Sequence, residues 1–178
     1  MRFSKNSFLL ILLIIISATG VVLLATQNRQ LSALLEHEKN PAIGDQAFLF
    51  EAEDLAGNRI DIRSGYSILV FFTTKCETCI LAMPLWQAFY EKLDTTKFRL
   101  VGISADPEAK VKAFAEEHDL TFSILFDSEH DIHWKYHIKH FPLTVIVQPD
   151  GTIAWYQQPE LTAKQALAET EAFVQNSA

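Results

Sequence analysis

The middle of the chain contains a run of apolar residues that leads directly into two closely spaced cysteines. Residues 68–73 are rich in branched and aromatic side chains and predict a buried strand. A short polar break follows, and Cys76-Glu77-Thr78-Cys79 then opens an apolar segment that predicts a helix. This feature constrains the fold most, because it places a thiol between the end of a strand and the start of a helix.

The position of Cys76 favours its thiolate form. The first turn of a helix has unpaired backbone N–H groups and the positive end of the helix dipole, and both stabilise an anion. Cysteines in such positions fall from a free pKa of about 8.5 to roughly 3.5–7.5. Cys79 follows one helical turn later, within reach of a mixed disulfide formed by Cys76. The pair predicts a redox switch in which Cys76 is the nucleophile and Cys79 resolves the mixed disulfide.

Two structural interpretations of the cysteine pair are weaker. A disulfide across two intervening residues closes too short a loop to stabilise the fold much through chain entropy. A structural zinc site needs further Cys or His ligands at motif spacing, and the chain has only two cysteines. A redox role is therefore favoured, with a Cys76–Cys79 disulfide as the redox group and no metal or organic cofactor required.

The N-terminus predicts a membrane anchor. Arg2 and Lys5 precede an uncharged run at residues 8–25, which as a helix rising ~1.5 Å per residue spans close to the hydrocarbon core. A cleaved signal peptide is the alternative, but its apolar region is normally about 7–15 residues long. We expect a single-pass anchor at 1–25 in the cytoplasmic membrane, a linker at 26–40 and one domain at 41–178.

The expected side of the membrane follows from the redox motif. Disulfide chemistry is typical of oxidising compartments, and the tail before the apolar run is very short, so we expect the domain on the periplasmic or extracytoplasmic side.

The formal net charge is −7 and no Lys/Arg run is present. Nucleic acid is therefore not an expected partner, since nothing would neutralise its phosphates.

Strands and helices alternate through the predicted domain. Helices are expected at 76–93, 106–118, 127–137 and 162–175, the first burying Leu81, Leu85, Ala88 and Phe89 and the second capped by Asp106. Strands are expected in a hairpin at 48–54 and 59–62, and then at 68–73, 98–103, 122–126, 144–147 and 152–156. This order predicts an α/β fold, a three-layer α/β/α sandwich around a central mixed sheet.

From residue 43 onward the chain resembles thioredoxin-fold proteins of the TlpA/ResA and AhpC/TSA-like group. The resemblance implies the thioredoxin fold and the activity of that group. Its members are thiol–disulfide oxidoreductases, often anchored outside the cytoplasmic membrane, and several reduce apocytochrome c or other secreted proteins. The matching pieces are Ile43-Gly-Asp-Gln-Ala47, Cys76-Glu-Thr-Cys79 with Pro84, Val101-Gly-Ile-Ser-Ala-Asp106, Phe141-Pro-Leu-Thr144 and Pro149-Asp-Gly151.

The resemblance also implies a substrate groove. Pro142 matches the cis-proline that faces the cysteine pair, and a cis X–Pro bond turns the chain so that the preceding backbone is free to pair with an extended substrate. Phe141 is then a candidate apolar contact for the substrate. Lys75, Glu77 and Thr78 complete the expected substrate-binding residues. The expected partners are protein thiols or disulfides and an upstream redox partner, with this chain acting as the reductant.

Three positions depart from the pattern of the group. Lys75 stands where a tryptophan usually precedes the first cysteine. Val70 occupies the place of a buried acid in thioredoxins, and Ala82 the place of a glutamate in ResA-like members. Because both acids help to move protons at the second thiol, we expect slower or differently pH-dependent release by Cys79.

A copper-binding function is one alternative. Sco-type members of the superfold bind copper through two cysteines and a histidine, and thiolate with imidazole suits that metal. Here the ligands would be Cys76, Cys79 and His140, although Sco cysteines are separated by three residues and these by two. The competing interpretation places His133 and His137 on the surface of a short helix and His140 in a loop.

A thiol peroxidase is the other alternative. Thr73, three residues before Cys76, matches the threonine of the peroxiredoxin signature. Leu69 stands where that signature has a proline, which weakens the prediction of a peroxide pocket. A threonine at the end of a strand is more often an ordinary strand residue.

Overall fold

The computed structural model of the protein describes residues 14–29 and 41–177. The chain divides into two compact units, Met1–Asn40 and Pro41–Ala178. In the first unit, residues 14–29 are helical (α1), and large apolar side chains are exposed along the helix. Within the described residues, no helix combines the length and the apolar character needed to cross a membrane. The start of the predicted anchor, residues 1–13, and linker residues 30–40 lie outside the described residues.

A short hairpin opens the second unit. Strands β1 (Glu51–Glu53) and β2 (Arg59–Asp61) pair in an antiparallel ladder. Asp54 closes the connecting turn, because its Oδ1 accepts hydrogen bonds from the backbone N–H groups of Ala56 and Asn58. The predicted hairpin is confirmed, although its strands are shorter than expected.

Five further strands form the central sheet, in the order β5-β4-β3-β6-β7. Strands β3, β4 and β5 are parallel to one another, whereas β6 and β7 pair antiparallel. The predicted central mixed sheet is therefore confirmed. The strands are β3 (Tyr66–Phe71), β4 (Phe98–Ser104), β5 (Ser123–Phe126), β6 (Leu143–Val147) and β7 (Ile153–Tyr156).

Helices cover both faces of this sheet unequally. The helices are α2 (Glu77–Tyr90), α3 (Glu108–Glu117), α4 (Asp131–Lys135) and α5 (Ala163–Ser177). On one face, Ile68 and Val70 of β3 belong to an apolar cluster with residues of α2, α3 and α5. On the other face, Leu69 and Phe71 pack with residues of α4 and of the hairpin. This alternation is what a strand buried on both sides requires, and it gives three layers with one thin outer layer.

The buried face of α2 is not the one predicted. Leu81 is 67% exposed and Leu85 42% exposed, and Ala88 is exposed as well. Of the four predicted core residues only Phe89 is buried. The buried residues of the helix are Phe89 together with Cys79, Ala82, Met83 and Trp86. The helix is apolar on nearly all sides, so periodicity could not decide which stripe the sheet would cover.

The start of α3 is also different from the prediction. The N-cap residue is Pro107, and no side chain caps this helix. The carboxylate of Asp106 accepts hydrogen bonds from two threonines that follow β3, and it does not cap the helix. The predicted cap is therefore wrong, because Thr73 and Thr74, which are distant in sequence, bind this side chain.

Sheet topology brings the functional loops together at one end of the central strands. The parallel strands β3 and β4 both end there, with Phe71 opposite Ile103. Strand β6 runs the other way and pairs Leu143 with Phe71, so its first residues lie beside the end of β3. The cysteine motif, Asp106 and Pro142 therefore meet although they are far apart in sequence.

Candidate active site

Cys76 is the N-cap residue of α2. Its backbone is extended (φ −85°, ψ 116°), and its sulfur accepts a hydrogen bond from the backbone N–H of Cys79 at 3.3 Å. Its Sγ also lies 2.9 Å from the hydroxyl oxygen of Thr78. The side chain is half-buried, so the sulfur is both supported by the helix start and open to a partner.

Hydrogen bonding sets the acidity of Cys76. Burial raises the pKa of this thiol, but hydrogen bonds from the side chains and backbones of Cys79 and Thr78 outweigh burial and lower the pKa below its usual range. Hydrogen bonds to a thiolate favour the charged form. The lowered pKa agrees with the prediction that Cys76 is the nucleophile.

Cys79 has the opposite environment. Its side chain is fully buried on the inner side of α2, and burial strongly raises the pKa of its thiol. A hydrogen bond to Cys76 and the negative charges of the Cys76 thiolate and Asp106 also raise this pKa, whereas a backbone hydrogen bond from Thr73 lowers it. Two free thiols are therefore hydrogen-bonded to each other, a half-buried one with a lowered pKa and a buried one with a raised pKa.

The turn before β6 faces the nucleophile. The peptide bond between Phe141 and Pro142 is cis, as predicted. The Cys76 thiol donates to the backbone carbonyl of Phe141 across 3.7 Å. Pro142 is buried and Phe141 is half-buried, with its ring packed against the apolar core.

The remaining predicted substrate-binding residues occupy different places. Thr78 lies directly at the Cys76 sulfur. Glu77 is exposed in the first turn of α2, and Lys75 is exposed just before it. The positive charge of Lys75 acts on Asp106, where it helps to lower the pKa of that carboxyl group.

A groove begins beside the nucleophile, at Thr78 and Phe141, and runs along α2. Its volume is about 530 Å³, and it is bounded by α2, the Phe141–Pro142 turn and the loop that leads into α5. Thr78 and His140 also line it. Most of its surface is apolar, contributed by Leu81, Leu85, Phe141, Pro142, Pro159 and Leu161. The two exposed leucines of α2 thus have a place in a groove that the sequence did not indicate.

His133 departs from the prediction, whereas His140 lies in a loop as expected. His133 is buried, not on the surface: its Nδ1 lies 2.6 Å from a carboxylate oxygen of Asp127, and the same oxygen accepts the His133 backbone N–H. His137 and His140 are half-buried. In the part of the chain that the structure describes, no group of three or more His, Cys, Asp or Glu side chains could hold a metal ion. Cys76, Cys79 and His140 are therefore not brought together as copper ligands.

The two positions compared with the peroxiredoxin signature, Thr73 and Leu69, have other structural roles. The Thr73 hydroxyl donates to the Asp106 carboxylate at 2.8 Å, and Leu69 lies fully buried in the core. Thr73 therefore helps to hold the loop before the cysteines against Asp106. Val70 and Ala82, the two positions that lack the acids of related proteins, are both buried.

Comparison with known proteins agrees with this geometry. Residues 43–156 match the AhpC/TSA family. The sporulation thiol–disulfide oxidoreductase A of Bacillus subtilis is 30% identical over 141 residues, 75% of this chain and 83% of that protein. The thiol–disulfide oxidoreductase ResA of Halalkalibacterium halodurans is 29% identical over 114 residues, 62% of this chain and 65% of that protein.

A solved structure confirms the fold. The thioredoxin domain of a thiol–disulfide oxidoreductase from Bacteroides vulgatus superposes with a TM-score of 0.64 at 26% identity. The match covers 75% of this chain and 98% of that domain. By its family match, its curated relatives and its thioredoxin-like fold, this chain belongs to the AhpC/TSA family, within the TlpA/ResA group of thioredoxin-like proteins.

Proposed function

We propose that this chain, a thiol–disulfide oxidoreductase, exchanges electrons with protein thiols and disulfides outside the cytoplasm through Cys76 and Cys79. The observation that carries the proposal is the contrast between two thiols in contact. Cys76 is half-buried with a lowered pKa, whereas Cys79 is fully buried with a raised pKa. Cys76 is therefore accessible and more readily ionised, so it can attack a partner, whereas Cys79 is inaccessible to that partner.

The reaction then has two steps. The Cys76 thiolate attacks a disulfide sulfur of the partner, which forms a mixed disulfide and releases the partner's other thiolate. Cys79 loses its proton to water or buffer and attacks the Cys76 sulfur, which forms the Cys76–Cys79 disulfide and releases the partner's second thiolate. The partner gains two electrons, and an upstream reductant must return them to this chain.

A polypeptide substrate is supported by the groove at the nucleophile. The backbone carbonyl of Phe141 lies at the Cys76 sulfur, and apolar side chains extend from that point along α2. Phe141 and Pro142 would form the wall next to the substrate cysteine. Thr78, Lys75 and Glu77 would flank it on the other side.

Attachment to the cytoplasmic membrane is part of the proposal. Residues 8–25 are uncharged, and in the described part of that run apolar side chains are exposed along α1. A helix that exposes apolar side chains in this way needs an apolar partner, which a bilayer supplies. The domain would then act on the extracytoplasmic side.

Trapping tests the proposed mechanism. With the full-length chain and a disulfide-bonded protein substrate, Cys79→Ala should accumulate a mixed disulfide that resists alkylation and is released by dithiothreitol. Cys76→Ala should form none. Normal turnover by Cys79→Ala would contradict the two-step mechanism.

The direction of electron flow is a separate measurement. We propose a reductant, as in the related proteins that reduce apocytochrome c. Equilibration of the full-length chain with glutathione or dithiothreitol gives the reduction potential of the cysteine pair. A reduction potential of about −230 mV or lower would support a role as reductant. A potential of about −120 mV would identify an oxidant and contradict the proposed direction of electron flow.

A further inference from the structure

Gln157 is a buried polar residue beside the groove. It is 1% exposed and belongs to the residues that line the groove. It directly follows Tyr156, the last residue of β7, and the next three residues are exposed. Gln157 thus stands where the chain leaves the central sheet. A buried amide needs partners for both its oxygen and its nitrogen, so these partners show what the side chain holds.

The amide oxygen of Gln157 binds the strand that follows the cis-proline turn. The backbone N–H of Gln157 donates to the Thr144 carbonyl at 2.9 Å, and the Thr144 N–H donates to the side-chain Oε1 of Gln157 at 3.0 Å. In a continued antiparallel ladder, that N–H would donate to the backbone carbonyl of Gln157. The side chain takes the place of this carbonyl, so the chain can turn away from β6 while Thr144, two residues after Pro142, keeps a partner.

The amide nitrogen of Gln157 binds a second boundary of the groove. Its Nε2 donates to the backbone carbonyl of Leu161 at 3.1 Å. Leu161 lies in the loop that leads into α5 (residues 158–162, the α5 loop), and the side chains of Pro159 and Leu161 line the groove. One buried amide therefore joins the strand after the Phe141–Pro142 turn to the α5 loop.

We propose that Gln157 is a positioning residue for substrate specificity: it holds the α5 loop beside the Phe141–Pro142 turn, so that Pro159 and Leu161 contact an apolar side chain next to the substrate cysteine. This role rests on the proposed reduction of polypeptide disulfides. Because Gln157 acts through the α5 loop, it sets how tightly an apolar substrate binds and leaves the exchange at Cys76 unchanged.

Two disulfide-linked peptides that differ in one residue provide the measurement. One carries leucine beside its cysteine and the other carries serine, and a fluorophore and a quencher on the two halves report cleavage of the disulfide. The full-length reduced chain is mixed with each peptide in a stopped-flow instrument at pH 8. The half-saturation concentration reports binding, and the limiting rate reports the exchange.

Gln157→Met should weaken binding of the leucine peptide. Methionine has a similar length, but it can bind neither the Thr144 N–H nor the Leu161 carbonyl in the same way. We expect the half-saturation concentration to rise about three- to tenfold, because an apolar contact is loosened, while the limiting rate stays within about twofold. The serine peptide should behave as with the wild type.

Gln157→Glu removes only one of the two hydrogen bonds. Its carboxylate can still accept the Thr144 N–H, but it has no proton to donate to the Leu161 carbonyl and places an oxygen against it. Binding of the leucine peptide should therefore weaken at least as much as in Gln157→Met, in a variant that keeps the partner of β6.

A double variant tests whether Gln157 acts through Leu161. Leu161→Ala keeps the backbone carbonyl that Gln157 binds, and it should weaken binding of the leucine peptide on its own. Adding Gln157→Met to Leu161→Ala should cost less than adding it to the wild type, because the two changes remove the same contact. Fully additive losses would overturn the proposed route.

Gln87→Met is the matched control. The Gln87 amide also joins two segments, since its Oε1 accepts the Thr121 N–H at 2.9 Å and its Nε2 donates to the Thr121 hydroxyl at 2.9 Å. Gln87 lies on α2 but does not line the groove. Its variant loses the same kinds of hydrogen bond and should keep the wild-type preference for the leucine peptide.

A failure of this specificity role can be told apart from a failure of the function itself. An unchanged leucine peptide in Gln157→Met and Gln157→Glu, equal losses for both peptides, or the same loss in Gln87→Met would overturn the role of Gln157. So would a wild-type chain that reduces both peptides equally well. A wild-type chain that reduces neither peptide would instead contradict the proposed function.

Discussion

The sulfur of Cys76 and the hydroxyl oxygen of Thr78 lie 2.9 Å apart, two residues from each other at the start of α2. A hydroxyl in this position can donate to the thiolate, and it is among the groups that lower the pKa of Cys76. Thr78, one of the two residues between the cysteines, thus takes part in setting the reactivity of Cys76.

Thr78→Val should therefore raise the pKa of Cys76. The thiolate would lose one donor while the side chain keeps its shape, so alkylation by iodoacetamide near pH 7 should slow by about three- to tenfold. The measurement is the pH dependence of the alkylation rate in a Cys79→Ala background. Thr78→Ser keeps the hydroxyl and should retain the faster rate, and an identical profile for valine would argue against this contact.

The exposed leucines of α2 should determine substrate preference. We expect Leu81→Ser to slow reduction of a disulfide-linked peptide that carries leucine beside its cysteine, by about tenfold, since burial of a leucine contributes about 1.5 kcal/mol or more. Reduction of oxidised glutathione, which has no apolar flank, should be unaffected.

The control for that prediction lies next to it in the chain. Ile80 is also exposed on α2, but it does not line the groove. Ile80→Ser should react with both substrates like the wild type. Equal losses in the two serine variants would show that general apolar surface matters and that the groove does not.

His133 should make the fold sensitive to acid. Burial lowers the pKa of this histidine in the folded state, and its hydrogen bond to Asp127 only partly opposes the change. Below the unfolded-state pKa of about 6.5 the unfolded chain binds a proton that the native state does not. Stability should therefore fall as the pH drops from 7 towards 5.

Urea unfolding at several pH values checks this expectation. His133→Gln cannot titrate, so its stability should depend less on pH in this window. At pH 7 it should be less stable by about 1–3 kcal/mol, since Asp127 loses a buried partner. A wild-type slope in His133→Gln would exclude His133 as the sensor.

Gly65 should not tolerate a side chain. Its φ is +88°, and a Cβ placed there would lie 2.9 Å from the carbonyl oxygen of Lys97. Gly65→Ala should lower the free energy of unfolding by about 1–3 kcal/mol or more. Gly57 has a similar φ of +83° but open space around a Cβ. Gly57→Ala should therefore cost less, and the difference between the variants measures the clash alone.

Local patterns were sufficient to predict the elements and the reactive pair. The apolar run of β3 and the cysteines after it follow each other in sequence, so their relation is visible without the fold. The turn at Pro142 was identified from its resemblance to related proteins. Its position opposite Cys76 depends on the pairing of β6 with β3.

Features that depend on distant partners were missed. Asp106 looked like a helix cap because the donors that it binds, Thr73 and Thr74, precede it by more than thirty residues. His133 is a local case: its partner Asp127 is six residues earlier, and the predicted helix at 127–137 included both, whereas α4 begins only at Asp131 and leaves Asp127 in the loop before it. Leu81 looked like a core residue because a helix that is apolar on nearly all sides does not show which side meets the sheet.

The two halves of the reactive centre are separated by 65 positions along the chain, Cys76 at one end and Phe141 at the other. They meet only after β3 and β6 have paired. The start of α2 supplies the donors that lower the pKa of Cys76, and the paired strands supply the Phe141 carbonyl beside it. A partner that must contact both Cys76 and the Phe141–Pro142 turn therefore finds them together only in the folded domain.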